Sequence, residues 1–301
     1  LGKVKLKLNF IKMNPAGNTT LFILEPIPHK FHGVIAQNLM KPEYLSADQV
    51  GFIEKPRSGR AVARLQMMGD EFCGNAARAL AVLLTKRGYD KIHPGGTPNN
   101  RAQPWTRVPL EVSGYRGILE ASVSRVKAGY WAEIAMPAPG RVREMGLTLN
   151  KKRETAIIVE LPGITHVVLN SLPPSRTIFQ DVIRQIDPGA ALGLMFYEPG
   201  KKLMTPLVAV RKSGTLVWEG SCASGTVALA AAQAYKTGRD IKGLNVRQPG
   251  GVITVDLEYS AGKPGAARIR GPVEFVAEGT VCLPAEGGDQ EKFAALKENS
   301  D

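Results

Sequence analysis

The chain has 301 residues, enough for one large or two average domains. Its 44% hydrophobic and 22% charged residues exclude a disordered chain, and no run approaches the roughly 18 apolar residues of a membrane-spanning helix. Three cysteines exclude a disulfide scaffold. The formal charge of +12 invites a nucleic-acid reading, but the basic residues are scattered, aromatics make up only 6%, and no stacking platform or zinc-knuckle spacing accompanies them. Neither a nucleic-acid nor a membrane partner is expected.

Leu1–Lys12 alternates lysine with apolar residues, the pattern of a strand and not of a signal peptide. The start at Leu1 reads as a processing scar, and three cysteines without an export signal point to the cytoplasm. Asn14–Asn18 is a turn cluster, and Thr19–Leu24 is a strand. Phe31–Lys41 has helical spacing, and Val50–Glu54 and Ala61–Met68 read as short strands. Ala76–Arg87, rich in Ala and Leu, is a helix stopped by Gly88. His93–Pro104 is loop, and strands resume at Val108–Val112, Gly117–Val126 and Trp131–Met136.

The second half repeats the plan. Ala156–Leu161 and Thr165–Leu169 are strands, and Ser175–Ile186 has helical spacing ended by Asp187-Pro188-Gly189. Strands follow at Leu192–Tyr197, Pro206–Arg211 and Thr215–Trp218. Thr226–Thr237 is again an Ala-rich helix, ended by Gly238. Leu244–Arg247, Val252–Tyr259, Arg268–Gly271 and Glu274–Leu283 complete the strands, and a polar tail with a short helix at Gln290–Lys297 closes the chain. The pattern is one degenerate internal repeat in an α+β chain, two similar domains with a cleft between them.

Each half places a cysteine where a loop becomes a helix: Cys73 and Cys222, about half the chain apart. Free N–H groups and the positive end of the helix dipole meet there. Such a position lowers a thiol's pKa toward neutrality and suits a carboxylate. Gly74, Ala223 and Gly225 are small enough to let a ligand approach the backbone. Two thiols on opposite faces of an amino acid's Cα would perform stereoinversion, one removing the α-proton and the other returning one. Inert core cysteines are the alternative reading. A metal site lacks support, because there is no Cys-x-x-Cys and the four histidines are dispersed. Cys282, in a strand pattern, reads as an inert buried cysteine.

Asn14-Pro-Ala-Gly-Asn18, Asp48-Gln-Val-Gly-Phe52, Glu71-Phe-Cys-Gly-Asn75, Trp218-Glu-Gly-Ser-Cys-Ala-Ser-Gly225 and Gln248-Pro-Gly-Gly251 resemble the signature stretches of the diaminopimelate epimerase superfamily, in order and over roughly residues 4 to 284. The resemblance implies a diaminopimelate epimerase-like fold of two pseudo-symmetric domains, each a mostly antiparallel curled sheet or barrel around a central helix. It implies boundaries at 1–128 plus 273–284 for the domain with Cys73, 129–272 for the one with Cys222, and a polar tail at 285–301. It further implies racemisation without pyridoxal phosphate or any other cofactor. Cys73 and Cys222 would be the bases, Asn18 and Gln49 would line the substrate site, and Gly74, Asn75, Ser224 and Gly225 would hold the α-carboxylate.

Diaminopimelate itself is a poor expectation. Ile164 stands where those epimerases carry an asparagine, and Trp218-Glu219-Gly220 lacks the arginine that would hold a second carboxylate. The Trp-Glu-x-Ser-Cys form looks most like the histidine racemases that supply D-histidine to opine-type metallophore synthesis. Glu219 would then orient the substrate's amine or imidazole, or else bond backbone near the helix start. His166 matches a family histidine, but a lone strand histidine more often belongs to the core, and Trp218 reads as core too. An epimerase of another amino acid and a non-catalytic basic binding protein remain the rival readings, and a homodimer is left open.

Overall fold

The computed structural model describes residues 5–88, 105–127, 129–187, 189–211 and 214–284. The expected loop at His93–Pro104, Pro188 of the expected helix stop, and the expected helix at Gln290–Lys297 lie outside these residues.

The first half contains β1 (Lys5–Asn14), β2 (Thr20–Ile23), α1 (His32–Leu39), β3 (Gln49–Glu54), β4 (Ala63–Met67), α2 (Gly74–Lys86), β5 (Thr106–Val112), β6 (Leu119–Val126) and β7 (Gly129–Met136). The second contains β8 (Val142–Leu149), β9 (Lys152–Leu161), β10 (Ile164–Asn170), α3 (Arg176–Ile183), β11 (Ala191–Glu198), β12 (Leu203–Val210), β13 (Thr215–Trp218), α4 (Ala223–Thr237), β14 (Ile241–Gln248), β15 (Gly251–Ser260) and β16 (Lys263–Pro284).

The same pairing scheme occurs twice. β2 and β3 are parallel across α1, and β4 and β5 are parallel across α2. β10 and β11 are parallel across α3, and β12 and β14 are parallel across α4. A parallel step needs a crossover, which the helices supply. The remaining pairs are antiparallel, so the architecture is sheet-dominated α+β. In the first half the order β1 to β7 continues to β16, and β16 pairs back with β1, closing a ring around α2. In the second, β16-β15-β14-β12-β11-β10-β9-β8 curls around α4.

The central helices are Ala-rich for a steric reason. Both run inside a sheet, with Gly74–Leu83 of α2 and most of α4 buried, and alanine combines small volume with high helix propensity. One apolar core joins them: Ala76, Leu80 and Leu83 of α2 belong to the same cluster as Val227, Ala230 and Ala234 of α4. Smaller clusters lie under α1 and α3. The expected glycine stops are present, with Gly88 at φ 97° and Gly238 at φ 68°.

Three expectations need correction. β8 was not anticipated. Its residues are mostly half-buried or exposed up to Leu147 and Leu149, so apolar alternation shows only at its end. Arg268–Gly271 and Glu274–Leu283 form one strand, β16, instead of two. Pro272 sits where β16 leaves β15 after Arg270 and joins β1 at Glu274, so on that edge its missing N–H interrupts no ladder. Cys282 is exposed, not buried, because it lies on the solvent face of β16 opposite Lys7.

Candidate active site

Cys73 and Cys222 occupy the same position in their halves. Each is the N-cap of the central helix in extended conformation, at φ −125° and ψ 109° for Cys73 and φ −122° and ψ 113° for Cys222. Each sulfur accepts a backbone N–H of its own first turn, Ala76 N to Cys73 Sγ at 3.4 Å and Gly225 N to Cys222 Sγ at 3.4 Å. The thiols thus take the capping role usually filled by a hydroxyl or carboxylate. The first intrahelical bonds come from Ala77 and Thr226, so the N–H groups of Gly74 and Asn75, and of Ala223 and Ser224, precede the helical ladder.

The helix ends meet. A Cβ built on Gly74 would lie 3.2 Å from the Ala223 Cβ and 2.8 Å from Met136 Sδ. Backbone joins backbone nearby: a Cβ on Gly220 would fall 1.8 Å from Gly17 O, and one on Gly17 would fall 2.2 Å from Gly250 Cα. The Ala16-Gly17 turn, with φ 61° and 81°, therefore docks against the turn before Cys222, where only glycine leaves room.

Side chains complete the enclosure. Parallel register puts Gln49 beside Thr20; Gln49 Nε2 donates to Thr20 Oγ1 at 2.8 Å, and Cys73 Sγ donates to Gln49 Oε1 at 3.1 Å. Asn18 Nδ2 donates to Ser221 O at 2.9 Å, leaving Asn18 Oδ1 buried without a partner among the described residues. Asn75 Nδ2 reaches Ser221 O and Oγ, both at 3.3 Å. Cys222 N donates to Gln248 Oε1 at 2.7 Å, and Gln248 Nε2 donates to Thr226 Oγ1. Ser224 Oγ lies 3.6 Å from Cys222 Sγ and 3.0 Å from His166 Nε2.

Every expected site residue therefore comes to the two helix starts: Gln49, Gly74 and Asn75 around Cys73, and Asn18, Glu219, Ala223, Ser224 and Gly225 around Cys222. Sequence reasoning passed over four others. Ser221 receives both asparagines, Gln248 anchors the Cys222 amide, Arg78 holds Asn75 Oδ1, and His166 lies under Ser224. Gln248 stood in a signature stretch, and His166 matched a family position. Arg78 had no signal except its place in the first turns after Cys73. Trp218 packs beside Phe196, ring centroids 5.9 Å apart, as a core residue does.

The electrostatics depart from expectation. Helix-end position was expected to bring the thiols toward neutrality. Burial outweighs it: Cys73 is pushed up to about 11, with Glu71 and Glu219 adding to the rise and the Ala76 N–H opposing it. Cys222 is pushed well above the ordinary thiol range by burial and then by Glu219. Glu219 itself is raised to about 7, first by burial and also by Asp48, against a hydrogen bond with Cys222. His166, fully buried, falls to about 3 and is neutral.

Among the described residues, no helix is long and apolar enough to cross a membrane. In overall shape the chain is similar to a probable proline racemase from Agrobacterium radiobacter, with a TM-score of 0.67 at 13% identity over 94% of this chain and 95% of that one. It is equally similar to a hydroxyproline epimerase from Agrobacterium vitis, with a TM-score of 0.67 at 13% identity over 96% of each chain. In sequence it is 32% identical over 285 residues to a histidine racemase of Fusobacterium nucleatum subsp. nucleatum, covering 92% of this chain and 97% of that protein. A histidine racemase of Staphylococcus aureus is 24% identical over 92% of this chain and 98% of its own. The profile of the histidine racemase CntK N-terminal domain matches residues 7–282, and the chain belongs to that family.

Proposed function

We propose that this protein racemises histidine at Cα without a cofactor, using Cys73 and Cys222 as paired acid and base. The observation that carries this reading is the mirrored placement of two capping thiols on helix ends that touch through Gly74 and Ala223. An amino acid between those ends would meet N–H groups of Gly74, Asn75 and Ser224 with its carboxylate, close against the small Gly225, and the buried acceptor Asn18 Oδ1 with its ammonium. Glu219, poised near neutrality, would face the imidazole or the ammonium.

In each direction one thiolate takes the α-proton and the opposite thiol supplies a proton to the other face. The carbanion-like intermediate gathers charge on its carboxylate, where preorganised N–H donors stabilise it. The raised thiol pKa values suit this task in one respect. A thiol near 11 is a stronger base once deprotonated than one near neutrality, although less of it is deprotonated at rest.

The doubled pairing scheme supports a diaminopimelate epimerase-like pair of halves, with β7 (Gly129–Met136) and β16 completing the ring around α2 and β16 carrying the sheet on into the second half. We place the reaction in the cytoplasm, whose reducing poise keeps thiols free, and the D-histidine product fits metallophore synthesis. The test is deuterium incorporation at Cα of L- and D-histidine in D2O without added cofactor, run beside meso-diaminopimelate and proline. Exchange of histidine alone is expected. Exchange with none of them overturns the reading, and exchange with diaminopimelate or proline in place of histidine overturns its substrate.

A further inference from the structure

Arg78 is a fully buried cation, at 0% exposure, projecting from α2 five residues after Cys73. Its Nη2 donates to Asn75 Oδ1 at 2.8 Å, and its Nε and Nη1 are buried without a hydrogen-bond partner among the described residues. Room has been left for it, since a Cβ on Gly271 of β16 would come within 2.9 Å of Arg78 Nη1. A buried charge with no counter-charge is strongly destabilising, because desolvation is not offset. Its place near the positive end of α2 adds to the cost. An apolar residue would fill the same space more cheaply, so the cation calls for an anion.

The guanidinium also sets direction. Arginine can only donate, so the end of the Asn75 amide that faces it must be oxygen. The NH2 end is thereby turned to Ser221 O and Oγ, next to Cys222 in the other half. Ser221 O is shared with Asn18 Nδ2. A hydrogen-bonded chain thus runs from Arg78 through Asn75 to the turn that presents the second thiol.

We propose that Arg78 is a positioning residue of the reaction: it orients the Asn75 amide across the cleft and is the fixed counter-charge for the anions gathered at the start of α2, the Cys73 thiolate and the substrate carboxylate. This rests on the two-thiol reading above. The charged groups acting on Cys73 are Glu71 from the loop before α2, Glu219 from the turn before α4, and Arg78 from α2 itself. Both carboxylates oppose the thiolate. Arg78 is the cation that favours it, and the Ala76 N–H adds neutral support.

The test compares the full-length chain with Arg78→Met and Arg78→Lys. Iodoacetamide labelling of Cys73, resolved by peptide mass spectrometry across pH, reads the thiolate, and histidine Cα–deuterium exchange reads kcat and KM. Arg78→Met is expected to slow Cys73 labelling at pH 9 by about tenfold, the equivalent of one pKa unit, and to lower kcat while raising KM. Arg78→Lys keeps the charge but loses the planar fork, so labelling stays within about twofold of wild type while KM rises. A folded Arg78→Met with the wild-type labelling profile and KM overturns the proposal. If Arg78→Met does not fold, Arg78→Lys decides alone, and any result other than a preserved profile with raised KM overturns it. Wild-type protein that exchanges no amino acid sinks the two-thiol reading instead, and the labelling profiles still judge the role of Arg78.

Discussion

Gly74 and Ala223, the residues immediately after the two helix-capping cysteines, stand so close that a Cβ on one would lie 3.2 Å from the Cβ of the other. The same Cβ would press on Met136 Sδ at 2.8 Å. Gly74→Ala should therefore push the helix starts apart and overpack a buried site, costing about 1–3 kcal/mol of stability. Cα–deuterium exchange should fall by more than the stability loss explains, which thermal melts and exchange assays on the same preparation would compare.

Cys73→Ser and Cys222→Ser should each abolish full racemisation, with loss of about 10²–10⁴ in rate, the usual worth of a positioned acid or base. Each should keep the fold, because serine is itself a good N-cap. Retention of full activity by either variant, measured by polarimetry on L-histidine, would remove that cysteine from the mechanism.

Activity should rise with pH through the neutral and mildly alkaline range, because Cys73 titrates from about 11 and more thiolate forms as pH climbs. Glu219 raises both thiols by its charge. Glu219→Gln removes that charge, so the rising limb of labelling at Cys73 should move to lower pH. A limb moved upward or left in place would contradict the electrostatic account.

His166, fully buried, and Glu219, half-buried, give opposite pH dependences of stability. His166 has its folded pKa depressed to about 3 from 6.5, so the unfolded chain binds a proton first and stability falls as pH drops from about 6.5 toward 3. Glu219 has its folded pKa raised to about 7 from 4.5, so the contribution of its neutral form is present below 4.5 and fades as pH rises toward 7. Urea titrations at pH 4.5, 6 and 8 should show Glu219→Gln gaining on wild type as pH increases. His166→Asn should lose less than wild type on acidification.

Gly220→Ala would bring a methyl group 1.8 Å from Gly17 O, where only backbone can yield. The turn before Cys222 should then detach from the Ala16-Gly17 turn, and with it the Asn18 and Asn75 bonds to Ser221. A KM for histidine raised about tenfold or more is expected, the equivalent of losing one or two hydrogen bonds. An unchanged KM would show that the two turns need not meet.

Much of the site was legible in the sequence because its elements are locally encoded. Cys73 and Cys222 each precede an Ala-rich run ended by glycine, and cap, propensity and stop act within a few residues of one another. β8 escaped notice because an outer strand buries only Leu147 and Leu149 deeply. β16 was divided at Pro272 because a proline inside a strand ordinarily marks an edge, and the exchange of partners from β15 to β1 has no local sign.

The two helix starts, their cysteines and the small residues beside them are encoded locally, since capping and helix propensity depend on neighbours along the chain. What those thiols experience is set by long-range packing. The contact of Gly74 with Ala223, the grip of Asn18 and Asn75 on Ser221, and the burial of Arg78 join residues far apart in the chain. Desolvation by the surrounding sheets overrides the local helix-end effect and reverses the expected direction of both thiol pKa values. A thiol's acidity depends on everything packed around it in three dimensions, and that shell cannot be read from a motif.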